Sequence, residues 1–215
     1  MTQEVTGPTS RPPGLRERKK ERTRALIAET ARRLFAERGF DAVTVSEIAG
    51  AAEVAEKTVF NYFPTKEDLV YWRLESFEDE LLSTIRERPA GESALAAFAR
   101  FVRAPRGMLG DYDAEAREAL AALTRMIVSS PALLAREQQI FARFTDALAE
   151  ELGGDIQARV AATAMMGVHR ALVDFTRERI VAGERAPALA DEVRGQADAA
   201  LTLLERGLGA YAVRD

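Results

Sequence analysis

Thr44–Phe63 reads TVSEIAGAAEVAEKTVFNYF, two short helical patterns joined by a tight turn. Thr44 and Glu47 stand three apart ahead of an apolar run. At that spacing a hydroxyl and a carboxylate each satisfy a free backbone amide at a helix start. Val45, Ile48 and Ala49 give this first helix one buried face. Glu53 and Val54 fall at the turn, with Val54 as the apolar plug between helices. A second helix is expected from about Ala55 to Tyr62, with Val59 and Phe63 inward. Its outward residues are Glu56, Lys57, Thr58, Asn61 and Tyr62. Two short helices crossing at such a turn, the second polar on its outer side, make a helix-turn-helix.

Upstream, Ile27, Ala31, Leu34 and Phe35 recur at helical spacing and predict a helix over Leu15–Arg38. Gly39 suits the left-handed residue that ends a helix, and Phe40 supplies the hydrophobic contact after it. Between Arg11 and Arg24 seven basic residues face two acidic ones, leaving +5 there and −9 elsewhere in a chain of net charge −4. In isolation such a run reads as a solvated helix face. Directly before a helix-turn-helix, contact with phosphates becomes the better reading. Residues 1–14, rich in Pro, Thr, Ser and Gly, read as a disordered arm.

Downstream, Pro64 and Thr65 break the pattern, and Thr65 with Asp68 repeats the cap signal. Val70, Leu74, Phe77, Leu81 and Ile85 then predict one continuous helix from Lys66 to about Glu87. Further helices are expected over Ser93–Arg103, Ala114–Ser129, Pro131–Leu152, Asp155–Ala182 and Pro187–Val213. Arg88–Glu92 and Pro105–Asp113 are the turn-rich breaks, and Gly153 and Gly154 end the Pro131 helix. No segment has the two-residue period of a strand, so the fold class is all-α. It divides into an N-terminal three-helix helix-turn-helix domain over residues 15–65 and a larger helical bundle over 66–215.

Composition narrows the chemistry. With 215 residues, 47% of them hydrophobic, the chain can bury two small cores or one larger one. It has no Cys and a single His, His169. That leaves no thiolate nucleophile and little material for an imidazole base or a zinc site. No catalytic residue, metal ligand set or cofactor is therefore assigned. No apolar run approaches the ~20 residues of a membrane-spanning helix, so a soluble cytoplasmic protein is expected. An enzyme would need a nucleophile, base or metal cluster. A helical protein-interaction module, its basic segment binding an acidic partner, is the other class left open.

The block Gly14–Tyr71 resembles the DNA-binding domain of TetR-family transcriptional regulators. The matching residues are Ala31, Leu34, Phe35, Gly39, Phe40, Thr44, Val45, Ile48, Ala49, Ala52, Val54, Thr58, Phe60, Tyr62, Phe63, Lys66 and Leu69. The resemblance implies that the outward face of the second helix enters the major groove of double-stranded DNA. Carried over by position, Thr44 contacts a phosphate through its hydroxyl or amide. Lys57 and Thr58 reach base edges or a flanking phosphate, Tyr62 bonds a phosphate and Lys66 pairs with another. Asn61 on the same face, and Arg16 and Lys19 in the basic helix, complete the DNA-binding candidates. Four positions depart from the family pattern. Glu53 replaces the usual turn Gly, Ala55 replaces a frequent Ser cap, Glu56 puts a carboxylate near the helix start, and Phe60 lacks the hydroxyl of a frequent Tyr.

For the remainder the resemblance is architectural and implies a bundle that binds a small-molecule effector and dimerises. Trp72, Phe101, Met126, Phe141, Phe144, Met165 and His169 are the candidates for a ligand pocket. Taken singly each reads rather as ordinary core, and His169 as a helix-surface histidine. An apolar or acyl-type ligand with a polar handle fits the set. Ala164, Val168, Ala171, Phe175, Ala197, Leu201, Leu204 and Leu208 on the last two helices are candidates for a dimer interface, or for an intrachain core. A homodimer is expected because one such module reads few base pairs. Two modules match a pseudo-palindromic operator with half-sites ~34–36 Å apart. The resemblance thus implies a one-component repressor released from its operator by the ligand.

Overall fold

The computed structural model describes residues 14–104, 114–183 and 188–207. The arm with Arg11, the Pro105–Asp113 break, Pro187, and Leu208 with the rest of the last expected helix to Val213 lie outside these residues. Every regular element among the described residues is a helix, ten in all. The chain is all-α and divides into two compact units, Met1–Val70 and Tyr71–Asp215.

In the first unit, α1 spans Leu15–Arg38 and buries Ile27, Ala28, Ala31, Leu34 and Phe35. Its N-terminus is capped by Glu17, whose Oε2 accepts from the Gly14 amide at 2.9 Å. Gly39 ends it at φ 84°, a left-handed value that costs glycine little. The Gly39 amide donates to the Phe35 carbonyl, and the Phe35 and Phe40 rings meet at 5.2 Å. α2 (Val45–Ala51) starts at Thr44 with the expected reciprocal bonds. The Thr44 amide donates to Glu47 Oε2 at 2.8 Å, and the Glu47 amide donates to Thr44 Oγ1 at 3.2 Å. Arg38 also holds Glu47, at 2.8 Å, and so ties the end of α1 to the start of α2. The Thr44 amide, Arg38 and the Thr44 hydroxyl together hold the Glu47 carboxyl down at about 2.

Glu53 makes the turn at φ 55°. α3 (Glu56–Tyr62) follows, with Ala55 at its cap and no side-chain cap bond. Val59 and Phe63 are each 1% exposed. α4 (Asp68–Tyr71) is capped by Thr65, whose amide and hydroxyl both donate to Asp68 at 3.0 and 2.9 Å. The first unit extends five residues past the expected boundary because Leu69 is buried and Lys66 lies over the Phe40 ring.

The expected single helix from Lys66 to Glu87 is two helices. α4 ends at Tyr71, Trp72 and Arg73 form a turn, and α5 runs Leu74–Arg86. The backbone bonds Leu69→Lys66 and Val70→Glu67 are three-residue bonds, so the segment is wound more tightly than an α-helix. The apolar spacing survives such a break, and no Pro or Gly marks it.

The second unit contains α5, α6 (Ala94–Arg103), α7 (Ala114–Ser129), α8 (Pro131–Glu151), α9 (Ile156–Val181) and α10 (Ala188–Arg206). Ser93, Ser130 and Asp155 cap α6, α8 and α9, each accepting a backbone amide three residues on. α8 and α9 form the main helix pair, flanked by α10 against α9 and by α5 against α6 and α8. Ala158, Ala162, Met165, Met166, Leu172 and Val173 supply the buried face of α9. Its short residues admit the close approach that ridge-into-groove packing needs. Ion pairs bridge the helices, among them Arg86–Glu151 at 2.7 Å and Arg103–Asp198 at 2.7 Å. These are surface pairs whose attraction is largely screened by solvent.

A candidate nucleic-acid interface

The first unit places a helix with a polar outer face beside a basic groove. Glu56, Lys57, Phe60 and Asn61 are exposed on α3, while Thr58 and Tyr62 are half-buried. Val59 and Phe63 fill the core behind them, so the outward direction of Lys57 and Asn61 is fixed by packing. Arg16, Lys19, Lys20 and Thr23 of α1 line a groove of about 310 Å³ together with Tyr62 of α3. Their positions along α1 are i, i+3, i+4 and i+7, which is one helix face. Three cations and a phenol thus lie together at a concave surface, a charge arrangement whose chemistry suits backbone phosphates. Arg16, Lys19 and Tyr62 are thus brought together. Lys20 and Thr23 join them, and the same spacing rule applied to the basic run would have named both.

Two other candidates are engaged elsewhere. The Thr44 amide and hydroxyl both donate to Glu47 Oε2, at 2.8 and 2.9 Å. Both groups expected to meet phosphate thus take part in the helix cap. Lys66 places its ammonium 4.2 Å from the Phe40 ring centre and 6.0 Å from that of Phe35. It sits on the aromatic end of α1 by cation–π attraction. Arg24 lies over Phe63 at 5.5 Å in the same way.

In the second unit three of the seven pocket candidates converge on a residue absent from that set, Phe77 of α5. Its ring lies 5.0 Å from Phe101, 5.9 Å from Phe144 and 4.6 Å from His169. Phe141 closes the ring cluster, 6.1 Å from Phe144 and 5.6 Å from His169. Burial among these rings pushes the His169 imidazole down to about 4, so it is neutral near pH 7. Met165 is buried and Met126 half-buried. Trp72 belongs to the α4–α5 turn, with the Arg73 guanidinium 5.1 Å over its ring. Phe77 stands in the apolar stripe of its helix, and the sequence holds no signal separating it from its stripe neighbours.

The dimer candidates divide. Val168, Ala197 and Leu201 are buried within the chain, so the intrachain core already occupies them. Ala164, Phe175 and Leu204 are half-buried and Ala171 is exposed. The large apolar residues that α9 leaves in solvent are others: Ile156 at 73% exposed, Val160 at 62% and Val181 at 50%.

A helix-turn-helix with a cationic groove alongside defines a DNA-binding regulator. Comparison with known proteins gives the family. Residues 27–71 match the family model described as "Bacterial regulatory proteins, tetR family". The chain is 32% identical over 157 residues to the HTH-type transcriptional regulator TcmR of Streptomyces glaucescens, covering 70% of each chain. It is 39% identical over 64 residues to the HTH-type transcriptional repressor KstR2 of Rhodococcus jostii (strain RHA1), covering 30% of this chain and 31% of that one. A TetR-family regulator from Syntrophomonas wolfei shares the fold at a TM-score of 0.59 and 21% identity, over 89% of this chain and 98% of that one. This protein belongs to the TetR family. It is a helix-turn-helix transcriptional regulator and not an enzyme. No single helix among the described residues is long and apolar enough to cross a membrane.

Proposed function

We propose that the protein is a cytoplasmic homodimeric repressor that leaves its operator when a small apolar or acyl-type ligand binds the second unit. The observation that carries the DNA half is the pairing of an outward α3 face, Lys57 and Asn61, with the groove of Arg16, Lys19, Lys20 and Tyr62. Base edges are read by the first set and backbone phosphates by the second. Repression as the sign of regulation is supported by the R. jostii relative, a transcriptional repressor by name. Two copies on a pseudo-palindrome double the short stretch of bases that one head can read. The exposed Ile156 and Val160 of α9 supply apolar surface for the partner copy, with Ala171 further along that helix.

The ligand half rests on the ring cluster about Phe77, with neutral His169 as a hydrogen-bonding handle among apolar walls. A ligand entering there displaces α5, and the two-residue turn at Trp72–Arg73 passes that displacement to α4. The ligand needs to favour the DNA-incompetent state by only about 3–5 kcal/mol. The test is a gel shift on the DNA upstream of the gene, followed by a thermal-shift screen of apolar and acyl-type compounds. A retarded band that a stabilising compound releases supports the proposal. Binding unaffected by every stabilising compound removes the ligand half. Unchanged binding after Lys57→Ala with Tyr62→Phe removes the assigned face.

A further inference from the structure

Phe60 brings a large apolar side chain to the otherwise polar outer face of α3. It is 44% exposed, while Val59 and Phe63 on the opposite side are each 1% exposed and fill the core. It shares the outward face with Glu56, Lys57 and Asn61, the other exposed residues of the helix. A benzyl side chain carries no donor for a phosphate oxygen and no acceptor or donor for a polar base edge. The major groove displays one apolar group on its base edges, the C5-methyl of thymine. Phe60 thus stands on the same outward face as Lys57 and Asn61, the residues assigned above to base edges.

We infer that Phe60 is a specificity-determining residue that packs on the C5-methyl of a thymine in each half-site. The inference rests on the DNA reading proposed above, and it names the base that this position selects. The flanking Lys57 ammonium suits a purine acceptor next to that thymine, and the Glu56 carboxylate suits a base amino group.

The experiment uses the full chain. Its preferred duplex is first selected from a random library, and each thymine of the selected site is then replaced singly by uracil, which lacks only the methyl. Affinities are measured for the wild type and for Phe60→Ala, with thermal unfolding of the variant to establish that it folds. One thymine per half-site is expected whose uracil replacement weakens the wild type about fourfold, the effect of one buried methyl. The same replacement is expected to leave Phe60→Ala unchanged. If uracil at every position leaves wild-type binding unchanged, or weakens the variant as much as the wild type, the inference is overturned while the DNA reading stands. If no sequence is enriched at all, the DNA reading falls and the inference with it.

Discussion

The Tyr71 hydroxyl donates a 3.0 Å hydrogen bond to the carbonyl of Leu133, sixty-two residues further along the chain. Tyr71 is the first residue of the second unit and the last of α4, so this bond fixes the point at which the bundle begins. Burial, and then the nearby Glu137 carboxylate, push the phenol well above its ordinary range, so it stays a donor at any physiological pH. Tyr71→Phe keeps the ring and leaves the Leu133 carbonyl without this donor. Chemical denaturation should show a loss of ~1 kcal/mol, the net worth of a buried hydrogen bond. An unchanged midpoint would mean that water replaces the hydroxyl.

Next to this anchor, Arg177 and Glu137 pair at 2.5 Å with side chains only 11% and 10% exposed. The pair joins α9 to α8. Breaking it strands a buried charge, so Arg177→Met or Glu137→Leu alone should cost ~3–5 kcal/mol. Changing both together should recover much of that loss, because two apolar side chains need no desolvation of charge. A double-mutant cycle by urea denaturation measures the difference. Additive losses would contradict the assignment.

His169 ties stability to pH. Its folded value is about 4 against an ordinary 6.5, with burial as the cause. The unfolded chain therefore binds the proton first as pH falls. The stability linked to this site is complete above pH 6.5 and is lost as pH drops through 4. The full amount is on the order of 3 kcal/mol. Unfolding free energies at pH 7, 5.5 and 4.5 should fall more steeply for the wild type than for His169→Phe. Parallel curves would show that the imidazole is hydrated and free to protonate.

The turn of the helix-turn-helix holds a non-glycine residue at φ 55° and a helix without a side-chain cap. Glu53→Gly should relieve part of the ~1–2 kcal/mol that a left-handed backbone costs an ordinary residue, less the entropy that glycine adds to the unfolded chain. Ala55→Ser should add ~1 kcal/mol by supplying a cap to α3. Both variants should raise the thermal midpoint of the first unit, read by calorimetry on the full chain. A fall in midpoint for Ala55→Ser would place the start of α3 elsewhere.

These residues show what the sequence makes readable. The Thr44–Glu47 and Thr65–Asp68 caps are local, three residues apart, and both form as their spacing requires. The glutamate at the turn announces its own strain, since the geometry there is set by the two helices that meet. The break at Trp72–Arg73 is not readable, because a tight turn keeps the apolar residues in phase and carries no Pro or Gly. The commitment of Val168, Ala197 and Leu201 to the intrachain core is hidden for another reason. A stripe that packs on its own chain has the same period as one that packs on a second copy. Likewise the Thr44 hydroxyl could serve a cap or a phosphate, and only the position of Glu47 Oε2 shows it in the cap.

The division of labour between α3 and the α1 groove is the centre of this account, and salt-dependent DNA binding tests it most directly. Affinity for the selected duplex should be measured against salt concentration for the wild type, for Lys19→Ala with Lys20→Ala, and for Lys57→Ala. The first variant should weaken binding to all sequences alike and reduce the magnitude of the salt slope by about two, one for each lysine that no longer neutralises a phosphate. Lys57→Ala should instead reduce discrimination between the selected duplex and a scrambled one. A groove variant with an unchanged salt slope, or a Lys57 variant with unchanged discrimination, would contradict the account.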